Sequence, residues 1–227
     1  MSVTDDAIEA IKQMILTGEL RPGDRLPREP ELAERLGLSR NSLREAVRAL
    51  SLIHVLDVRQ GDGTYVTSLE PGLLMDALGF VVDFHRDDTV LQFFEARRVL
   101  EPAVTAMAAM YMSEYDIQNL AYLLDSLPEE PTVDELVAND VEFHRRIAAG
   151  SGNPVLCSLV ENVSGRTTRA RMWRAITQDN VVDRTLSEHR AILQALAARE
   201  VELARSWATV HIAGVEHWIR KTLVDGA

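Results

Sequence analysis

The sequence predicts a mainly α-helical protein, in which a small unit of helices with a β-hairpin is followed by an all-α bundle. Strand-type alternation of apolar and polar residues is confined to residues 54–67, whereas apolar residues elsewhere recur at helical spacing. Turn-forming residues at 68–72 separate the two patterns. Because 227 residues exceed a typical compact domain, we predict domains at 1–67 and 73–227, joined by a linker at 68–72.

The composition is that of a folded protein without internal disulfides. Hydrophobic residues make up 46% of the chain and charged residues 26%, which excludes a disordered chain and a collagen-like repeat. Cys157 is the single cysteine, as expected in a reducing compartment. No apolar run approaches the roughly 18–20 residues of a membrane-spanning helix, and the first residues lack the pattern of a secretory signal. We therefore expect a cytoplasmic location and no membrane partner.

The N-terminal segment predicts three helices and a hairpin. Apolar spacing indicates the first helix, a proline suits the first turn of the second, and Ser39 suits the N-cap of the third. Two β-rich runs flank a glycine turn at 61–63. The predicted elements are helices at 5–17, 30–36 and about 40–52, and strands at 54–59 and 64–67.

The third predicted helix combines an apolar face with a stripe of arginines. Arg40, Arg44 and Arg48 recur at intervals of four residues, so this region is locally basic although the net charge of the chain is −11. Arginine can bond guanine O6 and N7 with two hydrogen bonds. A solvated arginine face beside an ordinary hairpin is the alternative. The order of helix, turn, helix and hairpin favours a winged helix-turn-helix that binds DNA.

The segment from Gly18 to Val66 resembles the DNA-binding domain of the GntR family of bacterial transcription regulators. The matching motifs are PGDRLP, ELAERLGLSR, LREAVRAL and GDGTYV. The family often has arginine where this chain has Pro30, so one DNA contact is expected to be absent or to be replaced by Arg28. Asp62 makes the wing acidic. The resemblance implies that DNA is contacted by Ser39, Arg40, Arg44, Gln60, Gly61 and Arg28.

After residue 72, only helical spacing is present, which predicts an all-α bundle. Proline, glycine and asparagine clusters mark the breaks between helices. The predicted helices lie near 73–83, 88–112, 114–126, 132–150, 154–177, 182–198 and 200–223.

Aspartate and histidine positions in this bundle indicate a metal site. Asp140 and His144 are four residues apart on one predicted helix, so they project from the same face. His189 and His211 on later helices can meet them inside a bundle. One carboxylate with three imidazoles suits a divalent first-row metal. On spacing alone, histidines with a structural role are the alternative.

Residues 95–214 resemble the FCD ligand-binding domain of the FadR-type branch of the GntR family. The matching motifs are EARRVLEP, DVEFHRRIAAGSGNP, LSEHRAILQALAARE and ATVHIAG. The resemblance implies a metal held by Asp140, His144, His189 and His211. Zn²⁺ is the first expectation, with Ni²⁺ and Mn²⁺ as alternatives.

Two arginines are the predicted effector-binding residues. Arg97 in the EARRVLEP motif is expected to bind an effector carboxylate, and the alternative is an ion pair with Glu101 four residues later. Arg166 is the second candidate.

Together these features predict a transcription regulator, usually a repressor in this family, and not an enzyme. The expected partners are a short palindrome of double-stranded DNA, a second copy of the chain and a small organic acid bound at the metal. A regulator that senses the metal itself is one alternative. A helical metallohydrolase is the other, and it is less favoured because no motif places a free acidic residue as a general base.

Overall fold

The computed structural model describes residues 3–70, 89–178 and 180–225. The chain divides into two compact units, Met1–Leu78 and Gly79–Ala227. The predicted helix at 73–83 and the last two residues of the predicted linker lie outside the described residues. Among the residues that are described, no helix has the length and apolar character needed to cross a membrane.

The N-terminal unit contains three helices and a two-stranded antiparallel sheet, in the predicted order. Leu56 pairs with Val66 and Arg59 with Gly63 across the sheet. The elements are α1 (Val3–Leu16), α2 (Glu29–Leu36), α3 (Arg40–Leu52), β1 (Leu56–Arg59) and β2 (Gly63–Val66).

Local signals set the bounds of α2 and α3. Gly37 ends α2 with φ 66°, a left-handed conformation that glycine adopts without strain. Ser39 caps α3, because its hydroxyl accepts a hydrogen bond from the Ser42 amide at 3.1 Å. The apolar face of α3 is buried as predicted, and it consists of Leu43, Ala46, Val47 and Leu50. The arginine stripe consequently stays in solvent.

The C-terminal unit is all helical over the residues described. Its elements are α4 (Thr89–Tyr111), α5 (Glu114–Asp125), α6 (Val133–Gly150), α7 (Pro154–Arg166), α8 (Thr168–Thr177), α9 (Val181–Ala197) and α10 (Val201–Asp225). Its largest core cluster joins side chains of α4, α5, α6, α9 and α10, with Phe143, Ile192 and Leu196 essentially inaccessible to solvent.

The predicted single helix at 154–177 is wrong, since the chain breaks into α7 and α8 at Thr167. Thr167 has φ −94° and ψ −1°, a right-handed conformation that departs from the ideal helical angles. Its hydroxyl donates to the Ser164 carbonyl at 2.8 Å and accepts a hydrogen bond from Arg97 at 3.0 Å. The contact from Arg97 on α4 is long-range, so helical spacing does not reveal the break.

A capping box fixes the start of α6, the helix that carries the first two predicted metal ligands. The Glu135 amide donates to the Thr132 hydroxyl at 3.3 Å, and the Thr132 amide donates to the Glu135 carboxylate at 2.8 Å. This reciprocal pair satisfies amides that the helix itself leaves unbonded. The register of α6 directs Asp140 and His144 into the bundle.

We expect Leu196→Ala to lower the free energy of unfolding of the helical unit by about 2–5 kcal/mol, because it opens a cavity in the largest core cluster. Tryptophan fluorescence during urea unfolding reports this unit alone, since Trp173, Trp207 and Trp218 are its three tryptophans and the chain has no others. Val99→Ala is the control because Val99 is 70% exposed. Equal losses in the two variants would contradict this description of the core.

Candidate metal centre and nucleic-acid surface

Three helices bring the four predicted metal ligands to one buried point. Asp140 and His144 come from α6, His189 from α9 and His211 from α10. Asp140 Oδ1 lies 3.7 Å from His144 Nε2, 3.3 Å from His189 Nε2 and 3.9 Å from His211 Nε2. His211 Nε2 lies 3.3 Å from His144 Nε2 and 3.4 Å from His189 Nε2. One ligand atom of each residue therefore faces a common centre.

The spacing of these atoms fits a single divalent ion. Ligand atoms about 2.1 Å from one tetrahedral Zn²⁺ are separated by about 3.4 Å. The nitrogens and the carboxylate oxygen observed here are 3.3–3.9 Å apart where they are measured. Imidazole and carboxylate donors also suit Ni²⁺ and Mn²⁺. The donor set thus fits a first-row divalent metal without selecting one.

Two carboxylates orient the imidazoles from the outside. Glu101 Oε2 lies 2.7 Å from His144 Nδ1, and Glu188 Oε2 lies 2.8 Å from His211 Nδ1. A carboxylate at Nδ1 holds the ring proton there, which leaves the Nε2 lone pair for a metal. His189 Nδ1 has no hydrogen-bond partner among the described residues, and its ring stacks on Phe143 with 4.0 Å between ring centroids.

Burial and neighbouring charges set the protonation of the centre. Burial lowers the pKa of His189 to about 3, and burial also lowers the pKa of His211 below its ordinary value. Burial opposes the charged form of His144 as well, but the charges and hydrogen bonds of Glu101 and Asp140 together outweigh it and raise the pKa of this imidazole. Burial would raise the pKa of Asp140, and the charge of Arg171 with the histidine contacts holds it well below its usual range. Asp140 is therefore ionised.

Arg171 is a buried residue beside the candidate metal ligands that sequence reasoning missed. Its guanidinium donates to the second carboxylate oxygen of Asp140, and Nη2 donates to the Ser164 carbonyl at 2.7 Å. Its Nε has no partner within the described chain. Arg174, one turn further along α8, is also buried and lines the same small cavity of about 20 Å³ with Arg171 and Asp140. No motif in the sequence marks these two arginines.

The predicted effector residues occupy two different environments. Arg97 points inward as predicted and is 1% exposed, but it makes the alternative ion pair, with Nε 2.5 Å from Glu101 Oε1. Its Nη1 donates to Thr167 at 3.0 Å. Arg166 is partly exposed at the last position of α7. Effector binding by Arg97 and Arg166 stays a prediction.

The six predicted DNA-contacting residues are all exposed in the N-terminal unit. A cleft of about 340 Å³ between α3 and the hairpin is lined by Arg28, Gln60 and Gly61. Arg44 forms an exposed ion pair with Glu29 at 3.3 Å. The exposed set consists of Arg28, Ser39, Arg40, Arg44, Gln60 and Gly61.

The acidic wing residue is held by its neighbours. The Tyr65 hydroxyl donates to the Asp62 carboxylate at 2.9 Å, and Arg25 donates to the Asp62 carbonyl. These contacts anchor the tip of the hairpin, next to Gln60 and Gly61.

An exposed arginine stripe on the third helix, a hairpin wing and a separate helical unit define a DNA-binding transcription regulator. Comparison with known proteins identifies the family. Residues 3–66 match the family described as bacterial regulatory proteins, gntR family, and residues 92–214 match the FCD domain. The chain belongs to the GntR family of bacterial transcription regulators and carries an FCD domain.

Several named relatives are transcription regulators, and this chain aligns with nearly their whole length. The HTH-type transcriptional regulator LutR of Bacillus subtilis is 32% identical, with 89% of this chain and 94% of the relative covered. The galactonate operon transcriptional repressor of Escherichia coli is 26% identical, with 94% and 95% covered. A solved structure, Streptococcus agalactiae GntR, has a TM-score of 0.73 at 28% identity and covers 94% of this chain and 99% of that one. The family and these relatives are not enzymes, so the metallohydrolase alternative is set aside.

We expect Arg171→Met to lower the free energy of unfolding of the helical unit by about 3–5 kcal/mol in the presence of a chelator, because it leaves the buried Asp140 carboxylate without its cation. Arg169→Met on the exposed side of the same helix is the matched control, with a change within about 0.5 kcal/mol. Combining Arg171→Met with Asp140→Asn should restore part of the loss. If Arg171→Met and Arg169→Met are equally stable, the ion pair between Arg171 and Asp140 does not contribute to stability.

Proposed function

We propose that this regulator is a homodimeric repressor whose affinity for a palindromic DNA operator is controlled by a small organic acid bound at a metal-containing pocket of the helical unit. The observation that carries the proposal is the convergence of four buried ligand atoms beside buried arginines, in the unit that does not read DNA. A core without a ligand would not be expected to collect so many polar groups at one point.

Asp140, His144, His189 and His211 would hold the metal, and the outer carboxylates would keep two of the imidazoles in the correct tautomer. A divalent ion held there would supply a Lewis-acidic centre, and an ion that takes five or six ligands would also accept carboxylate or hydroxyl oxygens. Zn²⁺ remains the first expectation, and Ni²⁺ and Mn²⁺ are the alternatives.

The side chains around this centre favour an anionic effector. Arg171 and Arg174 bring two positive charges to the cavity beside Asp140, and Val137 and Val181 make part of its wall apolar. A small acid with a short apolar part complements such a wall. A cavity of about 20 Å³ holds about one water, so an acid enters only when arginine side chains shift. The relative named for the galactonate operon supports a hydroxy acid as the class.

Dimerisation would place two recognition helices on the two halves of a palindrome. GntR regulators are typically dimeric. Leu203, Trp207 and Val210 lie at i, i+4 and i+7 on α10 and are 44%, 36% and 51% exposed. Such an apolar stripe on an exposed helix fits burial against a second copy of the chain. An acid that weakens operator binding must itself bind the operator-bound dimer more weakly, because the coupling is reciprocal.

We expect Arg44→Ala to weaken operator binding by about 1–3 kcal/mol for each half-site, because a base contact is lost. Fluorescence anisotropy with an operator selected from random DNA measures this, and the circular dichroism spectrum should not change. Arg205→Ala on α10 is the control, since Arg205 keeps 43% of its side-chain surface exposed, compared with 52% for Arg44, and likewise pairs with a glutamate, Glu202. The logarithm of the wild-type affinity should fall steeply with the logarithm of salt concentration. Unchanged affinity in Arg44→Ala would contradict the assignment of the recognition helix.

We expect His189→Ala to lose the metal and the response to acids. Metal analysis of the purified protein, followed by a thermal-shift screen of small carboxylic and hydroxy acids, measures both. An acid that raises the melting temperature only of metal-loaded wild-type protein locates the effector at the metal. His217→Ala is the matched control because His217 is exposed on α10. Full metal occupancy in His189→Ala would contradict the site, and a metal that changes operator affinity without any acid would favour the metal-sensing alternative.

A further inference from the structure

A ring of buried hydrogen bonds links two of the candidate metal ligands to the junction between α7 and α8. Its first half begins at His144, whose Nδ1 lies 2.7 Å from Glu101 Oε2. Glu101 Oε1 accepts from Arg97 Nε at 2.5 Å, and Arg97 Nη1 donates to Thr167 at 3.0 Å. The Thr167 hydroxyl donates to the Ser164 carbonyl at 2.8 Å.

The second half of the ring returns from the junction to the centre. Arg171 donates from Nη2 to the Ser164 carbonyl at 2.7 Å and from Nη1 to Asp140. Asp140 and His144 lie four residues apart on α6, which closes the ring. Each of its seven residues is at most 7% exposed. A chain of hydrogen bonds that starts at His144 and ends at Asp140, both on α6, restricts the rotamers of these two ligands.

Glu101 occupies the position in this ring that sets the tautomer and the orientation of the His144 imidazole. Its Oε2 contacts the imidazole and Arg97 Nη2, and its Oε1 contacts Arg97 Nε, so both oxygens are engaged away from the metal centre. The Arg97 guanidinium faces both oxygens of Glu101 and compensates the charge of this buried carboxylate. A carboxylate in this position accepts a hydrogen bond from the Nδ1–H group of the imidazole. The lone pair of Nε2 then faces Asp140.

Every nitrogen of Arg97 already has a partner within the ring, and two of the three face Glu101. Nε and Nη2 face Glu101, and Nη1 faces Thr167. Arg171, by contrast, keeps an unbonded Nε beside the cavity. The two arginines are both buried, but they differ in hydrogen bonding, because only Arg171 has a nitrogen without a partner among the described residues.

We propose that Glu101 is a positioning residue of the metal centre, which fixes His144 with Nε2 toward Asp140, and that Arg97 neutralises Glu101 and ties it to Thr167 instead of binding the effector. This inference rests on the proposed metal site and not on the identity of the effector.

The test is the zinc affinity of Glu101→Gln, measured in the full-length protein by competition with a chelator. Glutamine keeps the shape but loses the charge, so we expect zinc to bind about 10–100-fold more weakly. Glu142→Gln is the matched control, because Glu142 lies on α6 and pairs with Arg145 at the surface. In zinc-loaded wild-type protein, long-range ¹H–¹⁵N correlation spectra should show His144 with its proton on Nδ1. A role limited to stability would leave the affinity and this signal unchanged.

The outcomes separate this inference from the proposed function. If wild-type protein binds no zinc, nickel or manganese, the metal site itself is wrong. If the wild-type protein binds zinc and folded Glu101→Gln binds it equally well, only the positioning role is overturned. Should Glu101→Gln fail to fold because Arg97 is left unpaired, the Arg97→Met and Glu101→Gln double variant removes both charges. Wild-type affinity in that folded double variant would also overturn the proposal, whereas the same 10–100-fold loss supports it.

Discussion

The burial of the Asp140 carboxylate is the constraint on which the rest of the helical unit depends. An ionised carboxylate that is 7% exposed requires compensating charge and hydrogen bonds at close range. Arg171 compensates one oxygen, and three imidazole nitrogens surround the other. The break at Thr167 begins α8, the helix that presents Arg171 to this carboxylate. One charged side chain on α6 is therefore compensated by side chains from three other helices.

The charged side chains of the DNA-binding surface, in contrast, are exposed to solvent. Arg44 and Glu29 keep 52% and 41% of their side-chain surface exposed, and their ion pair in water contributes little to stability. A pair of this kind can open and exchange Glu29 for a phosphate at small cost. Buried pairs such as Arg97 and Glu101 cannot exchange partners so freely. If such a pair opened, each charge would remain buried with neither its partner nor water to stabilise it. One unit is therefore suited to binding a polyanion from solution, and the other to holding a fixed arrangement.

The sequence predicted those parts of the molecule that depend on local spacing or on a recognisable motif. The capped recognition helix and the hairpin follow from Ser39 and the glycine turn, and the donor set follows from four residues that stand in family motifs. The break at Thr167 and the role of Arg171 depend on contacts between residues far apart in the chain. Helical spacing carries no record of such contacts.

Glu101 shows the limit of the same reasoning within a motif. Its spacing of four residues from Arg97 predicts the ion pair that forms. The contact with His144 depends on how α4 packs against α6, because Glu101 and His144 are 43 positions apart in the chain. A motif therefore identifies the residue without identifying its second partner.

Charge balance connects the buried ring with the nature of the effector. Glu101 and Asp140 each carry one negative charge, and Arg97 and Arg171 each carry one positive charge, so these four side chains are neutral together. Glu188 beside His211 is balanced by Arg184. With the imidazoles neutral around a bound metal, the divalent ion would add two positive charges, and Arg174 adds one more at the cavity. In an interior of low dielectric constant such an excess strongly favours a bound anion. A carboxylate that bridges the metal and the cavity would reduce the excess, and it would compete with Asp140 for Arg171. Since Arg171 also bonds the Ser164 carbonyl, the same competition would loosen the junction between α7 and α8, and the proposed acid would thereby change the conformation of the helical unit.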